Sequence, residues 1–369
     1  MKLVCTKEAL NHAVQTVQKA VSSKNTLPIL TGIYLSAYDG KLDLQATDYE
    51  IGISCKIDAN IEEAGTVVVS GRYFQELVRK LPGETVEISS NREDRTIKIT
   101  SNFSQFNLLS LPSEEFPVLK QMVSENSLLV KDNILKDLIK KTVFACATDE
   151  SRPIFTGGLL EADAQGIRMI ATNTHRLALK RDNLENLNNS LKIITPSKIL
   201  TELARVLVSE IPVDVRISWQ KNQVSFAFDD IYIISRLIEG QFPDYNRVIP
   251  ASFATTVQIN TDQFLDAVER VSLVAKDGEY NVVKFQFKAD TVIITSNNPD
   301  VGMAYETVDS HCQGNEIEIA FNVKYVTDIL KNVGSEKIIF SLNTPLSPAS
   351  IKPEDDDNYT YIITPVRTN

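Results

Sequence analysis

Residues 27–51 read LPILTGIYLSAYDGKLDLQATDYEI, and residues 152–176 read RPIFTGGLLEADAQGIRMIATNTHR. They align without gaps at a shift of 125 residues, sharing Pro-Ile-x-Thr-Gly near the start and Ala-Thr near the end. Each places alternating apolar residues on both sides of a polar turn: Ile33, Leu35 then Leu42, Leu44 in one, Leu160 then Ile167, Met169 in the other. A period of two is what a half-buried strand needs, so each stretch predicts a β-hairpin. A weaker third copy runs Lys284-Phe285-Gln286-Phe287, a turn at Ala289-Asp290, then Val292 to Asn297, without the Pro-x-x-Thr-Gly lead.

Helical periodicity repeats on the same step. Leu10, Ala13, Val14 and Val17 recur as Leu135, Leu138, Ile139 and Thr142, and as Phe264, Ala267, Val268 and Val271, each set at i, i+3, i+4, i+7. A second set is Phe74, Leu77, Val78, Leu81, then Leu200, Leu203, Ala204, Leu207, then Val326, Ile329, Leu330, Val333. Each copy therefore holds two amphipathic helices, and Thr195-Pro196 reads as an N-cap followed by a first-turn proline. Leu111-Pro112 with Phe116-Pro117 returns as Leu237 and Phe242-Pro243, closing the first and second copies. The chain thus reads as an α+β protein of three tandem domains, 1–125, 126–253 and 254–369, each with two helices on β-sheet. A unit this long is a whole domain and not a solenoid rung.

Of the 369 residues, 43% are hydrophobic and 23% charged, which excludes disordered and low-complexity classes. Apolar runs such as Ile231–Ile234 are strand-length, far short of the ~20 residues that cross a bilayer. Lys7, Glu8 and His12 interrupt the N-terminal apolar residues, so no signal peptide is expected and the cytoplasm is the expected compartment. Cys5, Cys55, Cys146 and Cys312 are scattered, which favours buried free thiols over disulfides or a CxxC metal site. His12, His175 and His311 show no ligand spacing, so neither metal nor cofactor is expected.

The formal charge of −10 argues on its face against nucleic acid. Yet the six windows that read as helical (6–20, 71–81, 130–142, 196–208, 261–276 and 322–332) carry 15 Lys and Arg against 9 Asp and Glu, so they hold +6 and the rest of the chain −16. Solvated helix faces are commonly lysine-rich. Equivalent basic faces in repeated copies nevertheless suit a phosphate backbone, with the third copy's first helix an exception through Asp262, Asp266 and Glu269.

Catalytic signatures are missing: no GxxxxGK[ST] or GxGxxG phosphate cradle, no GxSxG elbow, no HExxH. Glu354-Asp355-Asp356-Asp357 lacks the spaced ligands and Gly of a calcium loop and reads as a solvated turn. His175 has no assignable nucleophilic partner.

Several stretches carry a resemblance: Leu27-Pro28-Ile29-Leu30, Ala171-Thr172-x-x-His175-Arg176-Leu177, Glu239-Gly240-x-Phe242-Pro243-Asp244-Tyr245, Phe321-Asn322-Val323-x-Tyr325-Val326 and Pro365-Val366-Arg367. Together, across the whole chain, they resemble the bacterial DNA polymerase III beta subunit, the sliding-clamp family. The resemblance implies a non-enzymatic processivity factor: a head-to-tail homodimeric ring of DNA-clamp domains, helices inside and sheets outside, that encircles duplex DNA without reading bases. It implies inner contacts at Lys24, Arg72, Arg79, Lys80, Lys136, Lys140, Lys141, Lys198 and Arg205, while Thr148-Asp149-Glu150 is unusually acidic for another loop facing the hole.

It also implies a pocket for Gln-x-x-Leu-Phe-type tails of the polymerase III alpha subunit, the clamp loader, other polymerases and repair proteins. The lining carried over is Phe155, Thr172, Thr174, His175, Arg176, Leu177, Pro243, Arg247, Val248, Tyr280, Asn322, Tyr325, Leu346, Pro348, Ile362, Pro365, Val366 and Arg367. Thr174, Pro348 and Thr364 depart from the residues common there. The dimer contact is expected between Phe106 and Leu108, on an alternating edge strand, and Leu273 and Val274. Rival readings are a peptide-binding scaffold with no DNA role and a metal-dependent nuclease or hydrolase. Retention on circular DNA and metal-dependent turnover separate them.

Overall fold

A computed structural model describes all residues except 23–26, 92–93, 185–188, 208–210, 276–280 and 368–369. The six expected helices form: α1 (Lys7–Val17), α2 (Gly71–Lys80), α3 (Asp132–Thr142), α4 (Ser197–Val206), α5 (Thr261–Ala275) and α6 (Val323–Asn332). Thr6 caps α1 by accepting from the Ala9 N–H at 3.3 Å, and Asn322 caps α6 by accepting from Lys324 N–H at 3.0 Å. The expected apolar stripes point inward, with Leu10, Ala13, Val14 and Val17 on α1 and Phe264, Ala267, Val268 and Val271 on α5 all buried.

Thr195-Pro196 does not cap α4. Both residues lie in the strand Leu191–Pro196, where Thr195 pairs with Gly158 and Pro196 with Gly157, so ladder pairing claims them and α4 starts at Ser197. This strand is the outermost of its sheet, which is where a proline, lacking an N–H, can be accommodated.

The chain forms two compact units, residues 1–133 with 205–237, and residues 134–204 with 238–369. The first contains a 13-stranded sheet and the second a 12-stranded sheet. All three expected hairpins are present: Gly32–Tyr38 with Lys41–Thr47, Gly157–Asp163 with Gly166–Thr172, and Val282–Phe287 with Thr291–Asn298.

Sheet continuity joins the sequence copies. In the first unit Ile231–Arg236, from the second copy, pairs antiparallel with Ile51–Asp58 of the first, Ile233 opposite Ile53. In the second unit Tyr359–Ile363, from the third copy, pairs with Arg176–Asp182 of the second, Tyr361 opposite Ala178. Since Ile53 and Ala178 differ by the repeat shift, the same junction is made twice.

The strands at the equivalent outer positions are only partly paired. Ser104–Leu111 bonds along its length to Thr96–Ser101 but touches Gly65–Ser70 only through Ser110 and Leu111, so it is an edge for most of its length and an interior strand at its end. Gly302–Gln313 likewise pairs through residues 302–309 with Thr291–Asn298, and through 310–313 alone with Thr255–Asn260. Phe103, Phe106, Leu109, Met303 and Tyr305 are exposed on or beside these half-open strands.

Burial pushes the thiols of Cys5, Cys55 and Cys146 up to about 12, making them poor nucleophiles. Asp356 does not splay outward as the sequence suggests. It accepts from the Lys180 ammonium at 2.5 Å, beside Lys141 at 3.6 Å, while Asp355 and Asp357 stay exposed.

Candidate functional site

Within the second unit, a cleft of about 490 Å³ lies against one face of the sheet. Its floor belongs to an apolar cluster of Phe155, Leu159, Ile170, Leu177, Leu179, Ile194 and Ile362, with Phe242 and Tyr245 packed onto it. The floor follows from register: Leu177 sits opposite Thr172 on one neighbour and Ile362 on the other, so three strands from distant parts of the chain present side chains together. Phe155 meets Phe242 edge to face, ring centroids 6.1 Å apart.

One rim is the turn 173–175. Asn173 Oδ1 accepts from the His175 and Arg176 N–H groups at 3.1 Å each, and Thr172 Oγ1 accepts from Thr174 N–H at 3.1 Å. These bonds hold Thr174 at φ 78°, a left-handed conformation costly for a β-branched residue. The His175 carbonyl accepts from both the N–H and the hydroxyl of Thr364, at 2.9 Å, which closes the rim onto the C-terminal segment.

Arg176 contributes to the lining, but its charge is committed elsewhere. Its guanidinium donates to Asp328 at 2.6 Å and to the Phe144 carbonyl, and stacks 4.5 Å from the Tyr325 ring centroid. Burial disfavours the charge, yet Tyr361 and Asp328 outweigh it and hold the pKa above its ordinary value. The resemblance placed Arg176 in the lining, where it stands. Its partners also make it a strut of the rim.

Of the residues carried over, Phe155, Thr172, Thr174, His175, Arg176, Leu177, Pro243, Arg247, Val248, Pro348 and Ile362 line the cleft. Tyr325 stands behind it, its hydroxyl accepting from Asn173 at 3.2 Å. Asn322 is engaged as the α6 cap, Leu346 is exposed outside the lining, and Val366 is tethered by its N–H to the Ala320 carbonyl at 2.8 Å. Pro365 and Arg367 are also outside the lining, and Tyr280 lies outside the described residues. Phe242, Asp244, Tyr245 and Pro250 line the cleft without having been assigned to it, and Thr364, named as a departure there, lines it too. The signal for three of them was present, because Phe242, Asp244 and Tyr245 flank Pro243 in the quoted stretch.

The basic side chains are mostly at the surface. Arg72, Arg79 and Lys80 on α2, Lys140 on α3, and Lys198 and Arg205 on α4 are exposed, and Lys136 is half-buried. Arg72 lies 3.7 Å from Glu76, one turn along. Lys141 is 18% exposed, pairs with Asp137 and Asp356, and lies over the Tyr359 ring, so it has local partners to lose before it can meet a phosphate. Lys24 lies outside the described residues. No cluster of three or more His, Cys, Asp or Glu able to hold a metal occurs among the described residues.

Sequence models of the DNA polymerase III beta subunit match the chain in series: the N-terminal domain over residues 1–120, the central domain over 129–244 and the C-terminal domain over 246–367. The chain belongs to the DNA polymerase III beta subunit family. The beta sliding clamps of Staphylococcus aureus and Staphylococcus epidermidis are each 35% identical to it over 359 residues, 95% of both chains. Among solved structures, the sliding clamp of Bacillus subtilis matches with a TM-score of 0.93 at 36% identity, and the beta subunit of Thermotoga maritima with 0.93 at 29%, each covering all of both chains. The Pseudomonas aeruginosa sliding clamp, solved bound to griselimycin, matches with 0.93 at 28% over the full length of both chains. Membership in the beta subunit family accounts for the threefold repeat. No helix among the described residues is long and apolar enough to cross a membrane.

Proposed function

We propose that this chain is the processivity clamp of a replicative DNA polymerase, a non-catalytic cytoplasmic subunit that closes as a homodimeric ring around duplex DNA. The observation that carries the clamp reading is the repeated junction between copies. A strand equivalent to Ile51–Asp58 and Arg176–Asp182 exists at 302–309, and one equivalent to Ile231–Arg236 and Tyr359–Ile363 exists at 104–109. Both have one side largely open. Open edges are aggregation-prone unless paired, and joining the third copy of one protomer to the first of another closes both. The register transferred from the internal junctions puts Ala304 opposite Phe106, Tyr305 opposite Gln105 and Met303 opposite Asn107, with Leu273 and Val274 on the adjacent helix end. The domain division 1–125, 126–253 and 254–369 belongs to the same proposal and is supported by the three family matches.

Duplex DNA is held by scattered Lys and Arg on the helices, including Arg72, Arg79, Lys80, Lys136, Lys140, Lys198 and Arg205. Contacts of this kind act on phosphates and carry no sequence information. The cleft takes Gln-x-x-Leu-Phe-type tails of the polymerase, the clamp loader and repair proteins. An apolar floor suits the Leu and Phe, each contributing about 1.5–3 kcal/mol on burial, enough for micromolar binding once ordering is met. The deciding experiment loads the protein onto nicked circular DNA and measures retention before and after linearisation. A clamp stays on the circle and is lost from the linear form. Equal loss from both leaves only the peptide-scaffold reading.

A further inference from the structure

The wall of the cleft opposite the 173–175 turn is the segment 238–250, and its position is not set by sheet pairing. Ile238 N–H still reaches the Ile194 carbonyl and Ala254 N–H reaches Leu342, but the backbone bonds of Arg247 to Asp244 and of Ile249 to Asn246 close only local turns. Seven of the sixteen residues lining the cleft lie between 242 and 250. Something other than backbone pairing must hold this wall at a fixed distance from the floor.

One anchor is the Phe242 ring on Phe155. The other is polar and buried. The Tyr245 hydroxyl donates to Glu161 Oε2 at 2.9 Å and accepts from Arg168 Nε at 3.0 Å, while the same Arg168 Nε reaches Glu161 at 2.8 Å. Glu161 is 7% exposed at its side chain and stands opposite Arg168 on one neighbouring strand and Lys192 on the other, with Lys192 at 3.0 Å. Arg168 is fixed in turn by a two-point pair with Asp163, at 2.7 and 3.1 Å. Burial works against the Glu161 charge, and bonds from Lys192, Tyr245 and Arg168 overcome it, so its pKa lies below the ordinary carboxylate value.

This arrangement gains little for the sheet itself, whose strands are already paired on both sides of Gly157–Asp163. Among the described residues, its one reach beyond the sheet is to Tyr245. We propose that Tyr245, oriented by the Glu161–Arg168 pair, is the positioning residue that fixes the 242–250 wall and thereby the width of the cleft. The inference rests on reading the cleft as the socket for Gln-x-x-Leu-Phe-type tails, and extends that reading to Glu161 and Arg168, which do not line the cleft.

Calorimetry of the full-length protein with a Gln-Leu-Ser-Leu-Phe peptide tests it, alongside amide hydrogen exchange over residues 242–250 and thermal unfolding. Tyr245→Phe, which keeps the ring in the core and loses only the hydroxyl, should weaken peptide binding about 5- to 20-fold, faster exchange appearing in the wall, in keeping with loss of a bond to a charged partner. Glu161→Leu should match it, whereas Glu161→Gln, which keeps an oxygen for the hydroxyl, should stay within about threefold of the parent. That rescue and the local exchange distinguish positioning from a general loss of stability. Unchanged affinity in Tyr245→Phe with a binding parent protein overturns the positioning role alone. A parent protein that does not bind the peptide overturns both the role and the socket reading.

Discussion

Arg176 shows how one side chain can be legible in sequence while its partners are not. Its place in the motif put it at the cleft, but its partner Asp328 lies 152 residues away, a contact that only the tertiary fold could reveal. Removing the guanidinium strips a charged partner from Asp328 and a donor from the Phe144 carbonyl, and vacates the space beside the Tyr325 and Phe144 rings. Breaking a buried pair from one side costs about 3–5 kcal/mol. Because Asp328 retains 27% exposure, water recovers part of that, and Arg176→Ala should cost about 2–3 kcal/mol in chemical denaturation. Arg176→Lys should restore little, since an ammonium cannot bond Asp328 and the carbonyl while lying flat on Tyr325.

Asp356 makes a second residue-scale case. Burial raises its pKa, but the bond and charge of Lys180, with help from Asn358 N–H and Lys141, bring it below the ordinary aspartate value. A carboxylate depressed in the folded state adds stability above its unfolded pKa, and that stability is lost as pH falls through the folded one. The melting temperature should therefore fall steeply below the ordinary aspartate range in the parent protein and less steeply in Asp356→Asn. Parallel curves would show that other carboxylates dominate acid unfolding.

At the scale of elements, the hairpins and all six helices were readable because their information is local: a period of two, a period near 3.6, and a repeat that states each pattern more than once. Strand partnership is not local. Nothing in Ile53 or Ile233 as residue types announces that they face each other, and Thr195 was misread because a threonine before proline also serves as an outer ladder position opposite glycine. The half-open strands follow the same logic. Phe106 and Leu108 could be picked as an alternating pair, whereas Met303 and Tyr305 became visible only when the repeated junction showed which edges lacked a partner. If that junction forms between protomers, Leu108→Asp with Tyr305→Asp places carboxylates in the new ladder and should yield monomers by sedimentation velocity, with each monomer's melting temperature within a few degrees of the parent. An intact dimer would remove the transferred register.

For the whole molecule, net charge and DNA binding conflict only if charge is evenly spread, and it is not: the six helices carry 12 Lys and Arg against 9 Asp and Glu, a net +3 in a chain that totals −10. Two different measurements should follow from one geometry. Binding of the unloaded protein to short linear duplex depends on counterion release, so its salt slope counts phosphate contacts at ~0.9 each. Lys136→Ala with Lys140→Ala should lower that slope by up to about two, and adding Lys141→Ala should change it little further, because Lys141 is already neutralised by Asp137 and Asp356. Retention on closed circular DNA, by contrast, depends on the ring remaining shut, so the same variants should persist on a circle at salt concentrations that strip them from linear duplex. If the triple variant instead falls off circles and linear duplex alike, electrostatic contact and not encirclement is what holds this protein on DNA.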